Sequence, residues 1–281
     1  MASICVLTSD GRFEEFVSRA AEELRARLGD AVHFQPWTAP LLADYGLVLP
    51  LLAWGYQSRG GEWSAALDAW EAAGIPIANP VPLMRWNTDK RYLFDLEAKG
   101  VPVIPTVFAP ALSESDISDA RARFGDTVIV KPPVSGGADG TYRLAPGDPI
   151  PADLAGRPML IQPMMAAIAT EGEYSLFYFG GAFSHAILKV PSAGDFRVQE
   201  QFGGREITVE APEEARAVAE KALRAAPGEA LYARIDMVRG ADGALRLMEL
   251  ELIEPSLFLS HAPDGGKLFA DTLSARLTST R

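Results

Sequence analysis

Residues 231–258 read LYARIDMVRGADGALRLMELELIEPSLF. Two β-rich runs flank Gly240-Ala241-Asp242-Gly243, a Gly/Asp turn signal that predicts a hairpin. Period-two alternation in the second run puts Met248, Leu250 and Leu252 on one face and Leu247, Glu249, Glu251 and Ile253 on the other. Pairing Arg239 with Ala244 sets Asp236 opposite Leu247, Arg234 opposite Glu249 and Tyr232 opposite Glu251. Asp236, Glu249 and Glu251 then share one face, with Asp236 and Glu249 diagonal neighbours. Carboxylates crowded in this way repel one another unless a cation lies between them. Oxygen donors without Cys or His nearby suit Mg²⁺, which takes few protein carboxylates and keeps its other positions for water and phosphate. The same pattern also describes a half-exposed strand with an acidic face, Arg234 serving as a surface partner of Glu249.

The chain has 281 residues, enough for one large domain or two modest ones. Its 37 acidic and 26 basic residues give a formal net charge of −11, which argues against nucleic acid or an anionic membrane as the main partner. The single cysteine, Cys5, excludes an internal disulfide framework and fits a reducing, cytoplasmic setting. It lies in an apolar run, as a buried structural thiol does. No signal peptide and no membrane-spanning run is evident.

Residues 1–80 alternate strand and helix signals: strands at 3–8, 45–51 and 75–78, helices at 13–28 and 62–73 stopped by Gly29 and Gly74. That order predicts a small parallel sheet with helices on its faces. Asn79-Pro80-Val81-Pro82 breaks the pattern and marks a boundary. A helix capped by Asn87 or Thr88 and running to Lys99 follows, then a proline-interrupted edge strand at 101–107 and a helix at 113–124 capped by Ser113.

A buried strand at 127–130 delivers Lys131, and Ser135-Gly136-Gly137-Ala138-Asp139-Gly140 comes after it. Glycines let backbone N–H groups approach an anion closely. The lysine precedes the glycines, so this is not a P-loop; a plain hairpin turn beside an exposed lysine reads the same way. A short apolar strand at 159–162 ends in Pro163-Met164-Met165, and EGEYSLFYFGGAFSHAILKVP predicts two strands joined at Gly180-Gly181.

Taken in order, NTDK, the strand ending in Lys131, the glycine-rich loop, the apolar hinge, GEYSL and the closing MELELIEPS resemble the ATP-grasp superfamily over roughly residues 79–260. The likeness is greatest to the bacterial glutathione synthetase branch, with KVPSAGDFRVQEQFGG matching that branch's arginine-and-glycine substrate segment. It implies an α/β fold, α+β in the C-terminal part: a Rossmann-like domain at 1–80, a first ATP-grasp subdomain at 81–158 and a second at 159–281. It implies ATP and Mg²⁺ as cofactors. Lys90 and Lys131 match the lysines on the nucleotide phosphates, and Ser135, Gly136, Gly137 and Gly140 the loop that closes over them. Gln162, Met164 and Met165 fall at the adenine hinge, which is longer here than in many relatives, and Glu173 at the ribose position. Lys189 falls near the γ-phosphate, and Arg197 at the arginine that steadies the acyl phosphate and substrate carboxylate. Asp236, Glu249 and Glu251 match the metal ligands, Glu251 standing where Asn is common. The activity implied is ATP-dependent ligation of an amino acid or small peptide carboxylate to an amine, in a homodimeric enzyme with small-molecule substrates. A ring-forming ligase like the cycloserine-pathway relatives, a phosphotransferase, and a nucleotide-binding protein without turnover are the alternatives. Specificity is expected in loops of the first 80 residues and in residues 199–205.

Overall fold

The computed structural model describes residues 3–11, 13–29, 32–40 and 45–279. Strands β1 (Ile4–Thr8), β2 (Val32–Pro36) and β3 (Leu47–Leu52) form a parallel sheet in the order β2-β1-β3. Alternation along β1 sends Ile4 and Val6 against helix α1 (Glu14–Leu28), and Cys5 and Leu7 against helix α2 (Gly60–Ala72) with its Trp63, Leu67 and Trp70. Burial pushes the Cys5 thiol up to about 11, so it is an inert core group, as its apolar setting predicts. Residues 75–78 contribute a single bridge, Ile77 to Val48, in place of the expected strand.

The expected helix from residue 87 to 99 is instead two short ones, α3 (Val81–Asn87) and α4 (Tyr92–Ala98). Pro82 sits in the first turn of α3, where its missing N–H costs nothing, so Asn79-Pro80-Val81-Pro82 leads into this helix. Strands β4 (Val107–Ala109), β5 (Val128–Lys131), β6 (Tyr142–Leu144) and β7 (Met159–Pro163) make an antiparallel sheet ordered β4-β7-β5-β6, covered by α5 (Glu114–Phe124). Ser113 caps α5 in a capping box with Asp116, as expected, contributing about 1 kcal/mol. One helical turn, α6 (Ala167–Thr170), fills the long hinge before the third sheet.

That sheet comprises β8 (Glu173–Phe179), β9 (Ala182–Val190), β10 (Arg205–Val209), β11 (Tyr232–Arg239) and β12 (Leu245–Glu251), ordered β10-β9-β8-β11-β12. Helix α7 (Glu213–Ala225) joins α3 and α4 on one face; α8 (Lys267–Ser279) packs the other face toward α1. Among the described residues no helix is long and apolar enough to cross a membrane.

Strand β9 carries His185, stacked on Phe177 at 4.2 Å, its Nε2 3.1 Å from the Leu257 carbonyl. Burial holds this imidazole down at about 4, below its ordinary 6.5, so the folded state binds fewer protons than the unfolded chain between those values. Stability is therefore fully present above pH 6.5 and falls as pH drops toward 4. The loss at pH 4.5 is about 2–3 kcal/mol. Urea unfolding at pH 7.5 and 4.5 checks this: His185→Phe should lose that much less on acidification, and equal losses in both proteins would contradict it.

Candidate active site

The hairpin register differs from the expected one. Arg239 pairs with Leu245, one residue along, and a bulge at Met248 shifts the ladder by one more, so that Asp236 faces Glu249 and Arg234 faces Glu251. A single slip would have turned Glu249 away from Asp236; two slips restore its face. The bulge also exchanges Leu247 and Met248. Leu247 enters the core with Leu250 and Leu252, while Met248 packs toward Ile104, Met165 and Val198. Asp236, Glu249 and Glu251 thus line one cavity of about 1110 Å³.

β12 is the sheet's edge, and side chains from the NTDK region satisfy its backbone. Asn87 donates to the Leu250 carbonyl at 2.7 Å and accepts from the Leu252 N–H at 2.9 Å, and the Tyr92 hydroxyl accepts from the Leu250 N–H at 2.8 Å. Asn79 donates to the carbonyls of Tyr232 and Leu252. Asn87 is therefore a clip on the carboxylate strand; it caps no helix. Lys90, three residues on, lies 3.1 Å from Glu249 and donates to the Ser135 carbonyl.

Lys131 ends β5 in the same cavity, where burial lowers its ammonium to about 8 despite Glu249 nearby. Ser135, Gly136 and Gly137 line the opening, and a Cβ on Gly136 would stand 2.7 Å from Gln57. Gly140 lies at φ +67 against Pro132, where a side chain would be strained. Gln162, Met164 and Met165 line the cavity together with Ile104, Ile129 and Ile168, an apolar slot into which Gln162, bonded to Thr106 at 2.9 Å, is firmly set.

Beneath the hairpin face lies a buried charge network. Lys189 reaches Glu173 at 2.9 Å and Asp236 at 3.3 Å, and Arg234 bridges Asp236, at 2.9 Å, and Glu251. Burial and Arg234 depress Lys189, but Asp236 and Glu173 outweigh them and its pKa sits above the usual lysine value. Burial raises Asp236, but Arg234 and Lys189 bring it below the ordinary carboxylate range; burial leaves Glu173 and Glu251 above it. Arg234, expected only as a surface partner of Glu249, is a central member of this network. The Arg-Ile-Asp spacing, which puts Arg234 and Asp236 on one strand face, is the signal that could have shown it.

Arg197 lines the cavity from the 191–204 segment, paired with Asp195 at 2.8 Å and stacked 3.7 Å over Phe202. Every expected site residue except Gly140 lines the cavity, and Gly140 closes the same loop. Among the described residues, no three His, Cys, Asp or Glu side chains converge closely enough to hold a metal by themselves. Glu249 and Glu251, two residues apart on one strand face, fit Mg²⁺ in its usual mode of one or two carboxylates completed by phosphate and water.

No family model matches the sequence. The chain is 36% identical over 235 residues to the cycloserine biosynthesis protein DcsG of Streptomyces lavendulae, covering 72% of this chain and 73% of that protein. The crystal structure of D-cycloserine synthetase DcsG superimposes with a TM-score of 0.82 at 29% identity, over 98% of this chain and all of that one. The ATP-grasp ligase PsnB, solved with Mg and ADP, shares the fold at a TM-score of 0.66 and 20% identity, over 100% of this chain and 99% of that one. This chain belongs to the ATP-grasp superfamily. Glutathione synthetase of Prochlorococcus marinus (strain MIT 9313) is a weaker match, 29% identical over 149 residues, which is 50% of this chain and 45% of that protein. The ATP-grasp assignment accounts for the two antiparallel sheets that meet over the cavity, β5 and β7 on one side and β8, β11 and β12 on the other.

Proposed function

We propose that this chain is an ATP-dependent carboxylate–amine ligase acting on an amino acid or small peptide. The carrying observation is that Lys90, Lys131 and the glycine-rich loop line the same cavity as Glu249, Glu251, Asp236 and Arg197. In this reading the slot of Gln162, Met164 and Met165 takes adenine, Glu173 the ribose hydroxyls, and Lys90 and Lys131 the phosphates. Glu249 and Glu251 would hold Mg²⁺, which would offset phosphate charge, while Asp236, expected as a third ligand, is tied to Lys189 and Arg234 and braces Glu251 through the arginine. Lys189 fixes Asp236 and adds positive charge beneath the γ-phosphate, and Arg197 steadies the substrate carboxylate.

The substrate carboxylate attacks the γ-phosphorus, the bond to ADP breaks, and an acyl phosphate forms. The amine nitrogen then attacks the carbonyl carbon, phosphate leaves with the C–O bond's electrons, and the amine gives up a proton. Positioned charges do most of this work, so no Ser-His-Asp constellation is called for. The three-part division at residues 80 and 158 belongs to the same reading, except that β7 hydrogen-bonds with β4 and β5 and so goes with the first ATP-grasp subdomain. So do a cytoplasmic setting, a homodimer, and the exclusion of nucleic acid and membrane as partners, in keeping with the net charge of −11.

A ring-closing variant is favoured by the likeness to DcsG over nearly the whole fold. Incubation with MgATP and pooled D- and L-amino acids separates the readings by mass. ADP and phosphate with a product of two substrates less one water support ligation; one substrate less one water supports ring closure. A phosphorylated end product, or AMP, would overturn both.

A further inference from the structure

Beyond the carboxylate strand the cavity runs on toward the parallel sheet, between α1, the 3-10 turn Tyr56–Ser58 and residues 254–260. Glu173, Asp236, Glu249 and Glu251 each have a lysine or arginine partner. Glu254 has neutral partners alone. Gln57 Nε2 donates to its Oε1 at 2.6 Å, and no basic side chain lies within 4.0 Å of it among the described residues. Gln57 is itself fixed, because its Oε1 accepts from the Gly55 N–H at 3.0 Å. The carboxylate is thus aimed by Gln57 and has no ion-pair partner in contact; burial raises it to about 7, and the charge of Lys90, farther off, only partly offsets this.

Two further features of this half of the cavity point to a ligand that donates N–H bonds and carries positive charge. Phe13 lines it while 50% exposed, offering a ring face that attracts cations, whereas the Phe16 ring already carries the Arg19 guanidinium at 5.4 Å. The Oε1 of Gln199, also in the cavity lining, is buried without a donor among the described residues. The glycine-rich loop abuts Gln57, so this subsite adjoins the phosphate end of the cavity.

We propose that Glu254, aimed by Gln57, is a specificity residue that selects the substrate by its protonated amine. This deepens the ligase reading, on which it rests for treating the cavity as a substrate site: the ligand class is an amino acid, held by its ammonium at Glu254 with its carboxylate toward the phosphate end of the cavity, where Arg197 steadies it.

Calorimetric titration of the protein loaded with MgAMPPNP tests it. The probes are D- and L-alanine and D- and L-serine, each against its desamino partner, propionate or 3-hydroxypropionate. At least one amino acid should bind wild type about 30-fold tighter than its partner. Glu254→Gln, which preserves the Gln57 hydrogen bond, should reduce that ratio to about 3-fold or less with MgAMPPNP affinity unchanged, and Glu254→Asp should keep most of it. The proposal is overturned if no amino acid is preferred by wild type, if Glu254→Gln keeps the preference, or if its nucleotide affinity falls in parallel. ADP release is scored separately, so an ammonium preference that depends on Glu254 without turnover would reject the ligase reading alone.

Discussion

Alanine at Glu249 should cut ADP release by about 10²- to 10³-fold, the scale on which removing one preorganised electrostatic group acts. Glu249 is the carboxylate that Lys90 approaches at 3.1 Å, and it faces Asp236 across the bulged hairpin. Its loss would remove one of the two carboxylates proposed to hold the metal and leave Lys90 without its acidic partner. The fold should survive, because the side chain is partly exposed and its removal relieves repulsion with Glu251. Steady-state ADP release together with a thermal melt checks both halves, and unchanged activity would mean that the acidic face takes no part in turnover.

Methionine at Arg234 should be worse, since it strikes stability and activity together. The guanidinium is the buried cation that bridges Asp236 and Glu251. Removing one partner of a buried ionic group leaves charge uncompensated and costs about 3–5 kcal/mol. Lys189 still reaches Asp236, but nothing else among the described residues pairs with Glu251. Arg234→Lys should recover part of the stability and less of the activity, because an ammonium lacks the planar fork that spans two carboxylates. Urea unfolding measures the first effect, and a loss below about 1 kcal/mol would contradict the buried-bridge account.

Much of this site was legible in the sequence because its residues sit at strand ends and on one alternating face. Lys131 at the end of β5, the glycines after it, and the carboxylates of the hairpin all lie in the cavity. The hairpin face came out correctly through two offsetting one-residue errors, the turn and the bulge at Met248, neither of which alternation can detect. What depends on distant partners was not readable. Asn87 reads locally as a helix cap, but its partners, Leu250 and Leu252, are more than 160 residues away. Lys189 and Glu173 read as nucleotide contacts, and only the tertiary fold ties them to each other and to Asp236. The short polar strand β2 has too weak an apolar pattern to be noticed without its neighbour β1.

A crystal structure of the protein with MgAMPPNP tests the central claim most directly. The account predicts a metal about 2.0–2.1 Å from carboxylate oxygens of Glu249 and Glu251, with Lys90 and Lys131 on the phosphates and adenine against Met164 and Met165. A nucleotide lodged elsewhere, or a metal held without either glutamate, would contradict it.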